Sequence, residues 1–125
     1  MNQVKEIDEI EILDQKCKKM LNEEGIRFIG IINNMGGQIA GGYKKGITPL
    51  VDEEEHKMGI HHALGYVLIK DFDESLGPVE YIAAKRKNVI MITIPLQKHI
   101  ILISTEHDID SEEIVKKVTQ LQFLA

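Results

Sequence analysis

The sequence has one cysteine, no tryptophan and no long uninterrupted apolar run, and these shortages exclude whole classes of protein. Cys17 stands alone, so the chain cannot form an internal disulfide. The longest apolar segment, residues 89–104, is interrupted by Pro95 and by the polar run 97–99, so it falls short of the roughly 20 apolar residues that cross a bilayer. Residues 1–14 are acidic where a secretory signal would be basic and then apolar. We therefore expect a cytoplasmic protein with no membrane partner.

The chain also lacks an excess of basic residues. It carries 15 lysines and arginines against 20 aspartates and glutamates, which gives a net charge of −5, and the two signs are interspersed. A general nucleic-acid-binding domain is normally basic, so we do not expect a nucleic-acid partner. At 125 residues and 43% hydrophobic, the chain has the size of one domain, residues 1–125, which buries roughly two-thirds of its unfolded surface.

Apolar residues spaced three or four positions apart predict three helices. The stripe of the first helix consists of Val4, Ile7, Ile10, Leu13, Cys17, Met20 and Leu21. The second helix is predicted from Pro49 to Lys70, with Thr48 as its N-cap and acidic residues 52–55 in its opening turns. Residues 71–78 are predicted to form a turn-rich connection, and the last helix is predicted to begin at Asp110.

Short segments rich in β-branched and aromatic residues predict five strands, at residues 26–33, 38–44, 79–84, 89–94 and 99–104. The first, fourth and fifth strands are apolar on both faces, so they should be central, with helices covering both sides of the sheet. Short turns join strand one to two, three to four and four to five. The predicted fold is α/β of the α+β kind, a three-layer sandwich whose five-stranded antiparallel sheet has the order 2-1-5-4-3.

Two glycine-containing segments and the closing apolar hairpin are distinctive. Asn34-Met35-Gly36-Gly37 joins the first two strands, and Ile39-Ala40-Gly41-Gly42 follows it. Together with the order of the elements, these features resemble the roadblock/dynein light chain domain, a profilin-like sandwich, over nearly the whole chain. The segments IRFIGIINNMGG, AGGYKKGITPL and LGPVEYIAAKRK are also similar to a family of small uncharacterised proteins from ammonia-oxidising archaea.

The roadblock resemblance implies a non-enzymatic protein that forms a homodimer by edge pairing of the third strand and packing of the second helix. Such proteins serve as scaffolds or regulators for small GTPases or for motor and signalling assemblies. The turn of that family carries an aspartate leading to glycine, whereas here Asn33-Asn34 precede Met35-Gly36. Asparagine also tolerates turn geometry, so the departure is mild. The family has no shared catalytic motif, and the resemblance therefore does not fix the partner.

The glycine- and lysine-rich segment 32–49 is the strongest candidate for a chemical site. A P-loop requires Gly-Lys-Ser/Thr, but Gly46 is followed by Ile47, and the dinucleotide pattern Gly-x-Gly-x-x-Gly is absent. A turn and a close backbone approach in an edge strand explain these glycines without a ligand. The alternative is anion binding by Lys44, Lys45 and the amino end of the second helix.

No residue set in the sequence predicts a catalytic residue, a metal site or a cofactor. His56 and His61 are five positions apart on the second helix and so lie on different faces, which leaves too few ligands for a metal. The simpler interpretation is one histidine at a packing or dimer surface and two in solvent. Cys17 lies on the apolar stripe of the first helix, where burial is expected. The acidic residues between 71 and 74 are expected to be solvated rather than catalytic.

The third strand and the second helix carry the predicted dimer interface. The edge is formed by Tyr81, Ile82 and Ala83, whose backbone groups can pair with a second copy about a twofold axis. The second helix has more apolar surface than one narrow stripe requires. The predicted helix contacts are Met58, His62 and Gly65.

The basic tract Lys85-Arg86-Lys87 follows the third strand and has two interpretations. It is a solvated hairpin tip, whose charge can equally protect the edge from unwanted pairing, or it steers an acidic partner or nucleic-acid phosphate. In the second case Arg86 and Lys87 are the partner contacts, together with Lys44 and Lys45 if both clusters lie on the same side. The sequence does not decide whether they do.

The function predicted from the sequence is protein association without bond chemistry. The chain is expected to be a homodimeric scaffold or regulator that acts with a small GTPase or another regulatory protein. The alternative is a small-molecule sensor with its ligand between the sheet and the second helix. The low aromatic content, 5%, and the lack of a convergent polar set argue against that alternative.

Overall fold

The computed structural model describes residues 2–50 and 55–123 of the chain. Along them run α1 (Asn2–Leu21), β1 (Ile26–Ile32), β2 (Gln38–Tyr43), α2 (Glu55–Ile69), a 3-10 turn (Lys70–Phe72), α3 (Asp73–Leu76), β3 (Ile82–Lys85), β4 (Val89–Leu96), β5 (His99–Glu106) and α4 (Ser111–Gln120). No helix within these residues is long and apolar enough to span a membrane.

The five strands form one antiparallel sheet in the order β2-β1-β5-β4-β3, which confirms the predicted fold and strand order. The long strands β4 and β5 pair along their whole length, from Val89 with Glu106 to Leu96 with His99. β1 pairs with β5 on one side and with the edge strand β2 on the other. Because central strands are apolar on both faces, helices must cover both faces of the sheet.

Each face of the sheet has its own core. The larger core lies against α1 and α4 and includes Cys17, Met20, Ile29, Ile31, Ile92, Ile101, Ile103, Ile114 and Val118. The smaller core lies against α2 and consists of Phe28, Ile32, Ala63, Met91, Ile100 and Leu102. Among the side chains of α2 that the structure describes, Ala63 is the one buried apolar residue in this core, so the helix packs on the sheet through small or partly exposed side chains.

Side-chain hydrogen bonds and an ion pair fix the positions of α1 and α4. The Asp14 carboxylate of α1 accepts the backbone N–H of Gly41 in β2 at 2.9 Å, and this bond lowers the pKa of Asp14. Lys117 of α4 forms an ion pair with Glu23, Nζ to Oε2 2.7 Å. At the start of α4, Asp110 accepts the N–H of Glu112, which confirms Asp110 as the predicted N-cap.

The segments before and after α2 both differ from the prediction. Thr48 and Pro49 are not helical, and the Thr48 carbonyl accepts a hydrogen bond from Arg27 instead of starting a helix. The acidic residues 52–54, predicted to occupy the opening turns, lie outside the described residues. The predicted turn-rich connection, residues 71–78, contains most of a 3-10 turn and the short helix α3, and Lys70, the predicted last residue of the second helix, begins the 3-10 turn. Asp73 and Glu74 occupy the first turn of α3, where acidic side chains favour a helix.

The third strand is shorter than predicted. It covers Ile82–Lys85, and residues 79–81 precede it without joining the sheet ladder. Tyr81 instead reaches α4, where its hydroxyl lies 3.3 Å from Glu112 Oε1. β4 pairs with residues 82–85 alone among the residues before the turn. The alternating side-chain pattern of residues 79–84 is therefore not sufficient by itself to predict strand pairing.

Candidate interaction surface and cavity

The glycine-rich turn between β1 and β2 is held by its own hydrogen bonds. Asn33 Oδ1 accepts the N–H groups of Met35 and Gly37, both at 2.9 Å, and the Asn33 carbonyl accepts the N–H of Gly36 at 3.0 Å. A phosphate-binding loop needs such amides to be free for the ligand. The asparagine that the family resemblance marks as a departure is therefore the residue that organises the turn.

Two glycines in this region allow close packing. Gly36 has φ +86°, and a Cβ at this position would lie 2.6 Å from the Cα of Ile60 in α2. Gly41 has φ +91°, and a Cβ there would lie 2.1 Å from the Ile29 carbonyl oxygen. The turn thus lies directly against α2, and β2 lies directly against β1. These contacts support the structural interpretation of the segment 32–49.

A set of exposed apolar side chains covers the second half of α2 and continues through the 3-10 turn into α3. Its members are Leu64, Val67, Leu68, Ile69, Phe72 and Leu76, and we refer to them as the α2–α3 apolar surface. Leu68 is 72% exposed and Leu76 is 82% exposed. Apolar surface gathered in this way is typical of a protein interface, whereas single exposed leucines are common on any protein.

The edge strand β3 has free backbone groups on its outer side. Arg86 donates its N–H to the Val89 carbonyl at 2.8 Å, so these residues form a hydrogen-bonded pair of the β3–β4 hairpin. Residue pairs that exchange backbone hydrogen bonds alternate with pairs that do not along an antiparallel ladder. Counting back from Arg86 in steps of two, the backbone groups of Ala84 and Ile82 are therefore the ones that bond to β4. The N–H and C=O of Ala83 therefore point to the open edge.

The faces of β3 follow from its register. Ala83 pairs with Ile92, which belongs to the core on the α1 and α4 side. Because side chains alternate along a strand, Ile82 and Ala84 face the α2 side. The edge of β3 thus presents Ile82 on the same side of the sheet as the α2–α3 apolar surface.

A cavity of about 550 Å³ lies between α2 and the sheet. Its apolar wall is formed by Phe28, Ile32, Met58, Val89, Met91 and Leu102. From α2 the cavity is lined by Met58 and Gly59, and Ala63 of the same helix belongs to the adjoining smaller core. Its size is within the range of about 300–1,000 Å³ that is usual for small-molecule sites.

Three cationic residues, Arg27, Arg86 and Lys87, line the same cavity, and none of the lining residues that the structure describes is acidic. Arg27 is already satisfied: it forms an ion pair with Glu106, Nη1 to Oε1 2.8 Å, and donates to the Thr48 carbonyl at 3.0 Å. Within the described chain, no carboxylate lies at ion-pair distance from Arg86 or Lys87. The positive charge that is available at the cavity is therefore that of the β3–β4 turn.

His62 lies beside this turn on α2. Burial lowers the pKa of His62, and the nearby charges of Arg86 and His61 lower that pKa further. The half-buried His62 and the exposed His61 fit the expected division of histidines between a packing surface and solvent. The side chain of His56 lies outside the described residues.

The two predicted basic clusters, Lys44-Lys45 and Arg86-Lys87, occupy the same end of the sheet but do not form one site. The backbone N–H of Lys44 donates to the Arg27 carbonyl, and the Arg27 side chain pairs with Glu106. Glu106 lies opposite Val89, which ends the turn that carries Arg86. The ammonium of Lys44 donates to the Glu23 carbonyl at 2.6 Å, on the α1 side, and Lys45 is exposed. Neither lysine lines the cavity. Anion or partner binding by Lys44 and Lys45 stays a prediction, with part of the Lys44 ammonium already engaged.

The predicted dimer contacts are distributed over both sides of α2. Met58 faces the sheet and lines the cavity, whereas Gly65 has open space where a Cβ would stand. Ile82 and Ala83 lie in the edge strand, and Tyr81 lies immediately before it. The roles of these residues at an interface stay predictions.

Cys17 provides no reactive thiolate. Cys17 is fully buried, as predicted, and burial followed by the charge of Asp14 raises its pKa to about 12. The thiol therefore remains protonated at neutral pH. Within residues 2–50 and 55–123, no three histidine, cysteine or acidic side chains are grouped so that they could hold a metal ion.

Sequence reasoning missed three residues of this region. Phe72 and Leu76 lie in a segment predicted to be a solvated turn, although their apolar character within DFDESL was a visible signal. Arg27 lines the cavity from β1, and only its position as a lone cation in an apolar strand, IRFIGII, could have indicated a special role.

Solved structures with the same fold are roadblock domains. The roadblock/LC7 domain from Streptomyces avermitilis matches with a TM-score of 0.68 and 9% identity, covering 86% of this chain and 89% of that one. The gliding protein MglB from Thermus thermophilus matches with a TM-score of 0.71 and 9% identity, covering 94% and 93%. A structure described as MglB with tetrameric arrangement gives a TM-score of 0.76 and 9% identity, covering 90% and 84%. These likenesses show that the chain has the roadblock fold.

Sequence comparison identifies a family. The profile of DUF6659, a family of unknown function, matches residues 4–122. No curated protein is similar enough to count as a match. The resemblance to archaeal proteins stays a prediction.

Proposed function

The chain belongs to DUF6659, a family of unknown function, and we propose that it is a non-enzymatic association domain which works as a homodimer. The self-interface consists of the α2–α3 apolar surface and the open edge of β3. The dimer serves as a scaffold or regulator for a second protein.

The observation that supports this function best is the α2–α3 apolar surface. Its six large side chains are each about half exposed or more, and they lie on the side of the sheet that Ile82 of the β3 edge also faces. A second copy related by a twofold axis would cover both features at once, because the edges of the two β3 strands would pair and the two α2 helices would pack. The open space at Gly65 would allow the helices to approach closely.

The proposed partner is a small GTPase or another regulatory protein of acidic surface. Arg86 and Lys87 are exposed at the β3–β4 turn, outside the proposed self-interface, so they remain available for steering such a partner. Self-assembly beyond a monomer occurs in one protein of this fold, the MglB described in a tetrameric arrangement. The proposed mechanism involves recognition alone, in the cytoplasm, and assigns no catalytic residue and no cofactor.

Leu68→Glu tests the self-interface. This change places a charge in the centre of the α2–α3 apolar surface, where burial against a second copy would be costly. We expect the unmodified chain to have a mass near twice 14.2 kDa by light scattering on a size-exclusion column, and the variant to have a mass near 14.2 kDa.

The matched control is Ile12→Glu, which places the same charge at a 48% exposed isoleucine on α1, on the opposite face of the sheet. This variant should keep the mass of the unmodified chain. A monomeric unmodified chain, or equal masses for the two variants, would contradict the proposed interface.

The cavity favours a second candidate function. It has the size of a ligand site and joins an apolar wall to cationic residues, which is the combination that orients small molecules. We therefore retain ligand sensing as the alternative to association.

A further inference from the structure

We propose that the cavity between α2 and the sheet binds a small amphipathic anion, an unbranched apolar body of roughly ten carbons with a carboxylate or phosphate head group at Arg86 and Lys87. The inference rests on the second candidate function and is independent of the homodimer. It names the class of ligand and the two residues that would select it.

The apolar part of the argument comes from the wall of the cavity. Two methionines line the cavity, Met58 from α2 and Met91 from β4, and Phe28 and Leu102 line it from the sheet. Methionine side chains are flexible and polarisable, so they adapt to ligands of irregular shape. A hydrocarbon body fits this wall, whereas a sugar or a nucleobase would leave its polar groups without partners there.

The charge at the mouth supports an anionic head group. Arg27 is neutralised by Glu106, and its second contact is the Thr48 carbonyl, so Arg27 is a fixed part of the wall. Arg86 and Lys87 are exposed and adjacent, and no described carboxylate pairs with them. A head group placed between them gains charge-assisted hydrogen bonds, and arginine can bind a carboxylate or a phosphate through two parallel N–H groups.

Two polar residues of the cavity lining also suit an anion. Asn88 follows Lys87 in the same turn, and Ser104 lines the cavity from β5. An amide N–H and a hydroxyl are both donors, and they would satisfy head-group oxygens that the two cations leave free. A cationic or an uncharged head group would not gain from the positive turn.

The experiment follows the methionine methyl groups of the full chain by NMR after labelling with 13C-methyl methionine. Decanoate, decyl phosphate, decanol and decyltrimethylammonium are titrated as monomers in solution, so that tail length is fixed and head-group charge changes. We expect decanoate or decyl phosphate to shift the signals of Met58 and Met91 in a saturable manner, while Met20 in the opposite core stays unchanged. The tighter of the two anions identifies the head group.

The double variant Arg86→Gln, Lys87→Gln tests the assignment of the head group. It should weaken binding of the anions about tenfold or more and leave decanol binding unchanged, since charged hydrogen bonds are lost and the apolar wall is kept. The control is Lys19→Gln, Lys98→Gln, which removes the same net charge at exposed positions that do not line the cavity. It should bind the anions as the unmodified chain does.

Tail length provides a second measurement. Shortening decanoate to octanoate should weaken binding about fifteenfold, because each buried methylene contributes about fourfold.

The possible failures are distinct. If none of the four probes shifts Met58 and Met91, the cavity does not bind an unbranched ten-carbon ligand and the inference is wrong. If decanol or the cation binds as tightly as the anions, the cavity binds apolar molecules and the assigned charge class is wrong. None of these outcomes depends on whether the chain has the mass of a dimer.

Discussion

At the scale of single residues, His62 connects the helix of the proposed interface to the basic turn. It is half-buried on α2, and the guanidinium of Arg86 and the side chain of His61 lie close enough to affect it. Burial and these neighbours lower the pKa of His62 in the folded protein. Protonation of His62 therefore opposes folding.

This arrangement predicts a pH dependence of stability. Below the ordinary histidine pKa of about 6.5 the unfolded chain binds the proton before the folded chain does, so the free energy of unfolding falls as the pH decreases. The loss stops once the pH is below the lowered pKa of the native state. We expect His62→Gln to reduce the loss of stability between about pH 7 and pH 5, as measured by urea unfolding.

The control for this prediction is His107→Gln, which removes a histidine from the exposed turn after β5. Equal pH profiles for the unmodified chain and for His62→Gln would show that burial does not disfavour the charged imidazole. The carboxylate of Asp14 acts in a separate range, because its stabilising bond to Gly41 is lost only as the pH falls through its lowered pKa.

At the scale of elements, proline substitutions in β3 test whether two copies pair through this edge strand. Ala83→Pro removes an N–H that points to the open edge, so the ladder with β4 stays intact and pairing with a second copy is lost. We expect a folded monomer by light scattering. Ala84→Pro, one residue along, removes an N–H that bonds to β4 and should lower the free energy of unfolding by more than about 1 kcal/mol. A fully dimeric Ala83→Pro variant would contradict pairing through this strand.

Most elements were predictable from local pattern, and those that were not depend on partners distant in sequence. The strands β1, β4 and β5 have continuous apolar runs, which only a strand covered on both faces needs. Residues 79–81 have a strand pattern but do not pair with β4, although β4 continues to Leu96. Thr48 has a capping side chain, but its carbonyl bonds to Arg27. In these segments the local pattern competes with contacts to residues distant in sequence, and the tertiary structure decides which contact forms.

At the scale of the whole molecule, the proposed dimer predicts that thermal stability depends on protein concentration. A dimer that separates on unfolding is stabilised by mass action, so Tm should rise over an about hundredfold increase in concentration. Leu68→Glu should remove this dependence and Ile12→Glu should retain it, as measured by the loss of far-UV circular dichroism. A constant Tm for the unmodified chain would contradict an obligate dimer.

The candidate sites were predictable only in part. The apolar excess of α2 was visible in the sequence, as was the basic tract beside the third strand. The cavity was not, because its lining residues come from α2, four strands and the turns between them, which are distant in sequence. The sequence also did not show that the two basic clusters lie on opposite faces of the sheet. Lys44 donates to Glu23 on the α1 side, whereas Arg86 and Lys87 line the cavity on the α2 side.

The sequence by itself determined most elements of this protein, the order of its strands and the absence of a nucleotide-binding motif. These follow from apolar periodicity and from turn residues, which act between neighbours along the chain. Only the tertiary structure decided which apolar side chains remain exposed, which backbone groups of β3 stay unpaired and where the cations meet a cavity. Those features depend on how closely helices approach the sheet, and that distance is set by contacts between residues far apart in sequence.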